Sequence, residues 1–172
     1  MILTLEELQR RPITGLAETR VVACIIDYKK IEVVALRLTR RGIFKRPIVV
    51  PWRNVQVAAD HLTVQRPERA GPVAIDAARF GEIAGKDVYT ERRRLLGRVT
   101  MYKIDTVTGQ ITTLWVRTPL VLQNLWKQVL VIGRDQIVDI TPAEVIVDEL
   151  IVRSALKPAT LADLAVHEPE AA

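Results

Sequence analysis

Apolar and polar residues alternate over much of the chain, and β-branched residues dominate the apolar positions. This pattern is typical of strands that bury one face. The first clear segments, 21–26 and 31–38, are separated by a short polar turn at 27–30 and predict a β-hairpin. Within the second segment, the alternation places Val34, Leu36 and Leu38 on one face, and Val33, Ala35, Arg37 and Thr39 on the other.

Helix signals are few and short. Thr4 and Glu7 predict a capping box at the start of an N-terminal helix, and Asp76 predicts a cap for a short helix that runs to Phe80. The segment 141–144 has the residues of a helix start, but the branched residues that follow favour a strand. Further strands are predicted at 45–50, 55–57, 62–64, 87–89, 97–104, 110–117 and 145–147, and further short helices at 149–156 and 160–166.

The predicted elements occur twice in the same order. Aligning Val33 with Ile111 brings Leu36 onto Leu114 and Leu38 onto Val116, although identity between the two segments is low. The turn of the first repeat, 27–30, is predicted to be shorter than that of the second, 105–109, in which Gly109 supplies a positive φ. We therefore predict a first repeat at 1–65, a linker with two prolines at 66–72, a second repeat at 73–149 and a short helical or frayed tail at 150–172. The same alignment pairs Ile13 with Val88, Arg53 with Arg134, and 62–64 with 145–147.

Several segments together carry a family resemblance. They are 85–90, 96–99, 105–111 and 114–117 in the second repeat, and the apolar run with Pro51 and Trp52 at 48–55 in the first. These segments resemble the PRC-barrel domain, the small β-barrel shared by the H subunit of photosynthetic reaction centres and by ribosome-maturation factors. Over about 8–65 and 83–149, the resemblance implies a mainly β fold of two small PRC-type barrels in tandem, with short helices at the N-terminus, the linker and the C-terminus. The first repeat departs from the family pattern by lacking a glycine in its 27–30 turn, and the second by having Ile132 and Gly133 in place of Pro-Trp.

Charge is distributed unevenly along the 172 residues. The net charge is +5, yet 37–53 carries six cations and no acid, whereas 135–172 carries eight acids and two cations. A basic patch attracts nucleic-acid phosphates, anionic membrane surfaces or acidic proteins, although cations at hairpin tips also serve simply to solvate them. The candidate anion-binding residues are Arg40, Arg41, Lys45 and Arg46 in the first repeat, and Arg92, Arg93 and Arg94 in the second.

The segment 119–126 is unusually apolar for a hairpin end. It occupies the place that the basic tip takes in the first repeat, and large exposed apolar side chains mark interaction sites. The alternatives are packing between the two barrels, a homodimer contact or a partner site. The candidate partner-binding residues are Leu120, Leu122, Leu125 and Trp126.

No catalytic, cofactor or metal motif is found. His61 and His167 lie far apart in the sequence. Cys24 lies in an apolar strand and is predicted to be a small buried hydrophobic residue. The acidic start and the short apolar runs favour a cytoplasmic protein without a signal peptide or a membrane span. The PRC-barrel pattern contains no catalytic residue, so the resemblance implies a non-enzymatic adaptor or scaffold that docks a larger assembly through barrel loops. An RNA- or ribosome-associated assembly factor and a cytoplasmic accessory of a membrane complex remain alternatives.

Overall fold

The computed structural model describes residues 1–16, 18–40, 47–65, 76–120 and 128–152. The protein is mainly β, with a short helix near the N-terminus, 3-10 turns at Trp52–Asn54 and Arg134–Gln136, and helical residues Ile151 and Val152 at the end of the last described range. None of the described helices is long and apolar enough to span a membrane. The elements are β1 (Ile2–Thr4), α1 (Leu5–Arg10), β2 (Ile13–Thr14), β3 (Thr19–Asp27), β4 (Glu32–Arg40), β5 (Ile48–Pro51), β6 (Val55–Val57), β7 (Leu62–Val64), β8 (Phe80–Gly81), β9 (Asp87–Thr90), β10 (Leu95–Asp105), β11 (Ile111–Arg117), β12 (Val129–Gly133), β13 (Ile137–Ile140) and β14 (Glu144–Val147).

The described strands form three sheets. One has the order β5-β4-β3-β8, a second has the order β2-β7-β6, and the largest has the order β12-β11-β10-β9-β14-β13 with β1 also paired to β10. The pairings among the described residues leave β12 and β13 as the end strands of the largest sheet. The sheet is therefore open at these strands and does not close into a barrel through the described pairings.

Strand pairing in the N-terminal half matches that in the C-terminal half. β2 is parallel to β7 with Ile13 opposite Leu62, and β9 is parallel to β14 with Val88 opposite Val145. In each half a long hairpin comes next, β3 with β4 and β10 with β11, and a further antiparallel strand and a 3-10 turn follow it. The two halves thus share one order of elements and these pairings, and they differ in that β9 also pairs with β10.

The register corrects one detail of the sequence alignment. Leu36 lies opposite Val50, and Leu114 lies opposite Ile132. Val50 and Ile132 are therefore equivalent, and two residues further along the chain from each lie Trp52 and Arg134. The sequence alignment of Arg53 with Arg134 was thus wrong by one residue. Each of these two positions begins its 3-10 turn.

The two hairpin turns have the same length, which the sequence prediction had wrong. The Asp27 carbonyl accepts from the amide of Ile31 at 2.8 Å, and the Asp105 carbonyl accepts from the amide of Gly109 at 2.7 Å. Ile31 takes φ 56° where Gly109 takes φ 75°. Because Ile31 adopts this left-handed conformation, the first turn keeps its shape without a glycine. The conformation is strained for a β-branched residue.

A β-bulge in β4 changes which side chains reach the core. Ile25 lies opposite Ala35 while Ile26 lies opposite Val33, so Val34 is left without a partner residue across the ladder. A bulge shifts the alternation by one, and Val33 is therefore buried together with Leu36. The prediction that Val33 and Leu36 face opposite sides was wrong for this reason.

Each half contributes a strand to the other half's long hairpin. β1, the N-terminal strand of the first half, pairs with β10 of the second, with Ile2 opposite Asp105. β8 precedes β9 of the second half and pairs with β3 of the first, with Phe80 opposite Asp27. Because Asp27 and Asp105 occupy equivalent positions, the exchange of strands is reciprocal and gives the chain an approximate internal two-fold symmetry.

The hairpin ends of the two halves also bond to each other. The amide of Val33 donates to the Gly109 carbonyl at 2.8 Å, and the amide of Ile111 donates to the Ile31 carbonyl at 3.1 Å. These bonds flank an isolated bridge between Glu32 and Gln110. The internal two-fold relation therefore extends to single backbone hydrogen bonds.

Among the described residues, one hydrophobic cluster contains buried side chains of both halves. Leu36 of β4 and Leu114 of β11 belong to it, as do Cys24 and Tyr102 at equivalent places of β3 and β10. Helix α1 packs against β3 and β10 and buries Leu8 completely. Much of the stability of each half therefore comes from apolar area shared with the other.

The local helix predictions had mixed outcomes. The capping box is confirmed, since the amide of Glu7 donates to the Thr4 hydroxyl at 3.2 Å and the Glu7 carboxylate accepts from the Thr4 amide at 2.6 Å. Asp76 caps a single turn that leads into β8, so the predicted helix there was wrong. The ambiguous segment before Glu144 leads into β14, as the branched residues predicted. The linker and most of the predicted C-terminal tail lie outside the described residues.

An ion pair ties β8 to the first hairpin turn. The buried Asp27 carboxylate accepts from Arg79 Nη2 at 2.7 Å and from the Lys29 amide at 3.0 Å. Burial alone would raise the pKa of Asp27, but the hydrogen bonds from Arg79 and from the turn amides outweigh it and hold the pKa below its ordinary value. The ionised carboxylate is therefore the form that the fold stabilises.

We expect Asp27→Asn to lower the free energy of unfolding by about 2 kcal/mol at pH 7, because it removes charge-assisted hydrogen bonds. A depressed folded pKa stabilises the protein above the unfolded value of about 3.9, and this contribution is lost as pH falls through the folded pKa. Urea unfolding of both proteins from pH 7 to pH 3 measures the difference. A difference in unfolding free energy between the two proteins that stays constant from pH 7 to pH 3 would contradict the prediction.

Candidate protein-docking face

The outer surface of β11 and β12 carries large apolar side chains. Alternation along these strands buries Leu114 and Leu130 in the core and turns Trp115 and Val131 to the opposite side. Trp115 lies between Met101 of β10 and Val131 of β12. The three strands therefore present one continuous row of apolar side chains on the outside of the sheet.

This row is exposed and flanked by cations. Val131 is 61% exposed and Val129 is 43% exposed, while Met101 and Trp115 are half-buried. We call this surface the docking face and define it by Met101, Trp115, Val129 and Val131 with the cations Arg98, Lys103 and Arg117.

A groove of about 690 Å³ borders the docking face beyond the end of β11. Leu95, Arg98, Arg117 and Val129 line it together with Leu120, which is 81% exposed. Exposed apolar surface of this kind, rimmed by polar groups, is typical of protein interaction sites.

Two of the cations lie directly opposite each other on neighbouring strands, Arg98 on β10 and Arg117 on β11. Asp87 accepts from Arg98 at 2.9 Å and neutralises one of them. At the other end of the face, Lys103 Nζ lies over the Trp115 ring at 5.1 Å from its centroid. Positive charge therefore borders the apolar row on two sides.

The equivalent surface of the first half has a paired cation at its centre, and the neighbouring Ala23 is buried. Arg37 takes the place of Trp115, and it forms an ion pair with Glu82 at 2.5 Å. Ala23 takes the place of Met101 and is only 4% exposed. The two halves share a backbone arrangement but differ in outer chemistry, so the apolar row is a feature of the second half alone among the described strands.

The predicted partner-binding residues are only partly placed. Leu120 lies at the edge of the docking face, whereas Leu122, Leu125 and Trp126 lie outside the described residues. Sequence reasoning did not propose Trp115 or Val131 as partner-binding residues. The signal was present, since Trp115 alternates with the apolar positions that the repeat alignment assigns to the core.

The predicted anion-binding residues fall into two groups. Arg40 is exposed at the end of β4, while Arg41, Lys45 and Arg46 lie outside the described residues. In the second cluster, Arg93 forms an ion pair with Glu144, Arg94 forms one with Glu149 at 3.7 Å, and Arg92 is exposed. The acidic C-terminal region thus neutralises much of this arginine cluster.

The described residues bring no group of three metal-ligating side chains together. Cys24 is fully buried beside Tyr102, and burial raises the pKa of its thiol to about 12. A thiol with so high a pKa is a poor nucleophile. His61 contacts Asp60 at 2.7 Å on the surface.

No family model matches this chain, and no curated protein matches it in a sequence search. The PRC-barrel resemblance therefore remains a prediction from the sequence, and the functional argument depends on the docking face itself.

Proposed function

We propose that this protein is a non-enzymatic adaptor or scaffold module that docks a larger protein assembly. The observation that carries the proposal is the docking face, in which exposed Val131 and half-buried Trp115 lie between cations on the outer surface of the sheet. Tryptophan and arginine side chains are enriched among the few residues that dominate the free energy of protein association. The site is on the strands of the second half and extends to Leu120 at the following loop.

We further propose that the two halves are PRC-type barrels in tandem, each completed by contributions from the other, in a cytoplasmic protein. The repeated strand order and the parallel pairing of the first and last strand in each half support this reading. The segments that resemble the family lie on these same strands. The domain limits proposed for the two barrels are 1–65 and 73–149.

An RNA- or ribosome-associated role that uses the basic loops is the second candidate. Exposed Arg40 and Arg92 favour it, while the ion pairs of Arg93 and Arg94 weigh against it. The same cations would also suit a peripheral contact with a membrane complex. A gel-shift titration with single-stranded RNA across salt concentrations distinguishes the RNA role, because phosphate contacts weaken steeply with salt.

We expect Val131→Lys to reduce retention of protein partners from the native cell extract at least about tenfold, because it places a charge in the apolar row. Val138→Lys is the matched control, since Val138 is 53% exposed on β13, away from the docking face. Both variants should keep the wild-type unfolding free energy within about 0.5 kcal/mol. Quantitative mass spectrometry of the retained proteins measures the difference.

Equal retention by the two variants would contradict the docking role of this face. Light scattering of the purified variants adds a further readout, because a homodimer through the same face would lose mass in Val131→Lys alone.

A further inference from the structure

The charges on the docking face follow the strand period. On β10, Met101 is two residues from Lys103, and a bulge at Thr100 places Arg98, three residues before Met101, opposite Arg117. On β11, Trp115 is two residues from Arg117. Alternate residues of a strand are about 7 Å apart. A partner strand or extended segment has the same period, so its alternate side chains can meet a cation, the apolar row and a second cation in turn.

The positive charge of the face is incompletely neutralised within the chain. Like charges directly opposite in a sheet destabilise it, and Arg98 faces Arg117 in this way. Asp87 pairs with Arg98, and Arg117 has no ion pair among the residues that the structure describes. An incoming carboxylate would relieve this repulsion.

The same geometry disfavours nucleic acid on this face. Binding of single strands uses several aromatic rings as successive stacking platforms, but Trp115 is the one aromatic residue of the docking face. Exposed Val131 next to it offers an aliphatic surface, which suits a branched side chain better than a sugar or a phosphate.

We propose that the docking face recognises an acidic, extended protein segment in which a branched apolar residue lies between two carboxylates. The apolar residue packs against Trp115 and Val131, and the carboxylates pair with Arg117 and Lys103. This inference rests on the proposed docking function and adds the chemistry of the partner to it.

The test is selection of a phage-displayed library of random linear peptides on the full chain. The key variant is Lys103→Glu/Arg117→Glu, which reverses the charge of the face and leaves the apolar row intact. Its matched control is Arg40→Glu/Arg92→Glu, which makes the same change in net charge at exposed cations outside the face. Val131→Lys serves as the variant with a disrupted apolar row.

We expect enriched peptides to carry Asp or Glu on both sides of Val, Ile or Leu. Their affinity should fall at least about tenfold on the reversed face, stay within about twofold on the control, and weaken with added salt. Enriched peptides that lack acids, yet lose binding to Val131→Lys, would overturn this inference and leave the docking function intact. If no peptides are enriched on the wild-type chain relative to Val131→Lys, both this inference and the docking function are overturned. If single-stranded RNA shifts the wild-type chain in a gel and fails to shift Lys103→Glu/Arg117→Glu, the face binds nucleic acid instead.

Discussion

Gly97→Ala should unfold the protein or lower its stability by more than about 3 kcal/mol. Gly97 lies in β10 at φ 151°, and an added Cβ would sit 2.1 Å from the Arg117 carbonyl oxygen and 2.7 Å from its carbonyl carbon. These atoms are backbone of β11, so they move only if the pairing of β10 with β11 shifts. The substitution therefore acts on the sheet that carries the docking face.

Gly85→Ala is the matched control. Gly85 also has a positive φ, 83°, but a Cβ there would meet no atom within 4 Å. Its cost is limited to backbone strain of about 1 kcal/mol. Urea unfolding followed by circular dichroism compares the two variants, and equal losses would contradict the steric explanation for Gly97.

Leu36→Ala should destabilise both halves together, by about 3 kcal/mol. Leu36 is fully buried in the first half, yet it belongs to the cluster that also contains Leu114 of the second half. A shared core makes unfolding cooperative across both halves. The effect should therefore be detected at Trp115, on the outer face of the second half.

The measurement uses a background in which Trp52 and Trp126 are replaced by Phe, so that Trp115 is the remaining tryptophan. Urea midpoints from Trp115 fluorescence and from circular dichroism should fall together in Leu36→Ala. Leu120→Ala, at an 81% exposed position, should change either midpoint little. A Trp115 transition that does not move in Leu36→Ala would show that the halves unfold as separate domains.

The strands were well predicted wherever alternation and turn residues agreed. β6 and β7 have the predicted bounds, because Pro51 and Asn54 precede a short branched segment and polar residues separate it from the next. The alignment of Ile13 with Val88 also agrees with the structure, since each pairs with an equivalent residue of the last strand. Apolar spacing alone was sufficient for these features.

The features that were missed depend on contacts between distant segments. The bulge at Val34 leaves no mark in the alternation, so Val33 was assigned to the wrong side. Ile31 in a left-handed conformation accepts a hydrogen bond from the amide of Ile111 in the other half, which no local pattern predicts. The docking face was missed because exposure of Trp115 depends on what the neighbouring strands leave uncovered, and only Leu120 at its edge was proposed.

The reciprocal exchange of β1 and β8 has a consequence for synthesis of the chain. The edge of β3 that pairs with β8 stays unpaired until Phe80 and Gly81 have left the ribosome. β1 cannot pair until β10 has been synthesised, about a hundred residues later. Contacts so distant in sequence slow folding. The N-terminal half therefore emerges with an unpaired strand edge and an incomplete core, and it depends on the later half of the same chain to protect it from aggregation.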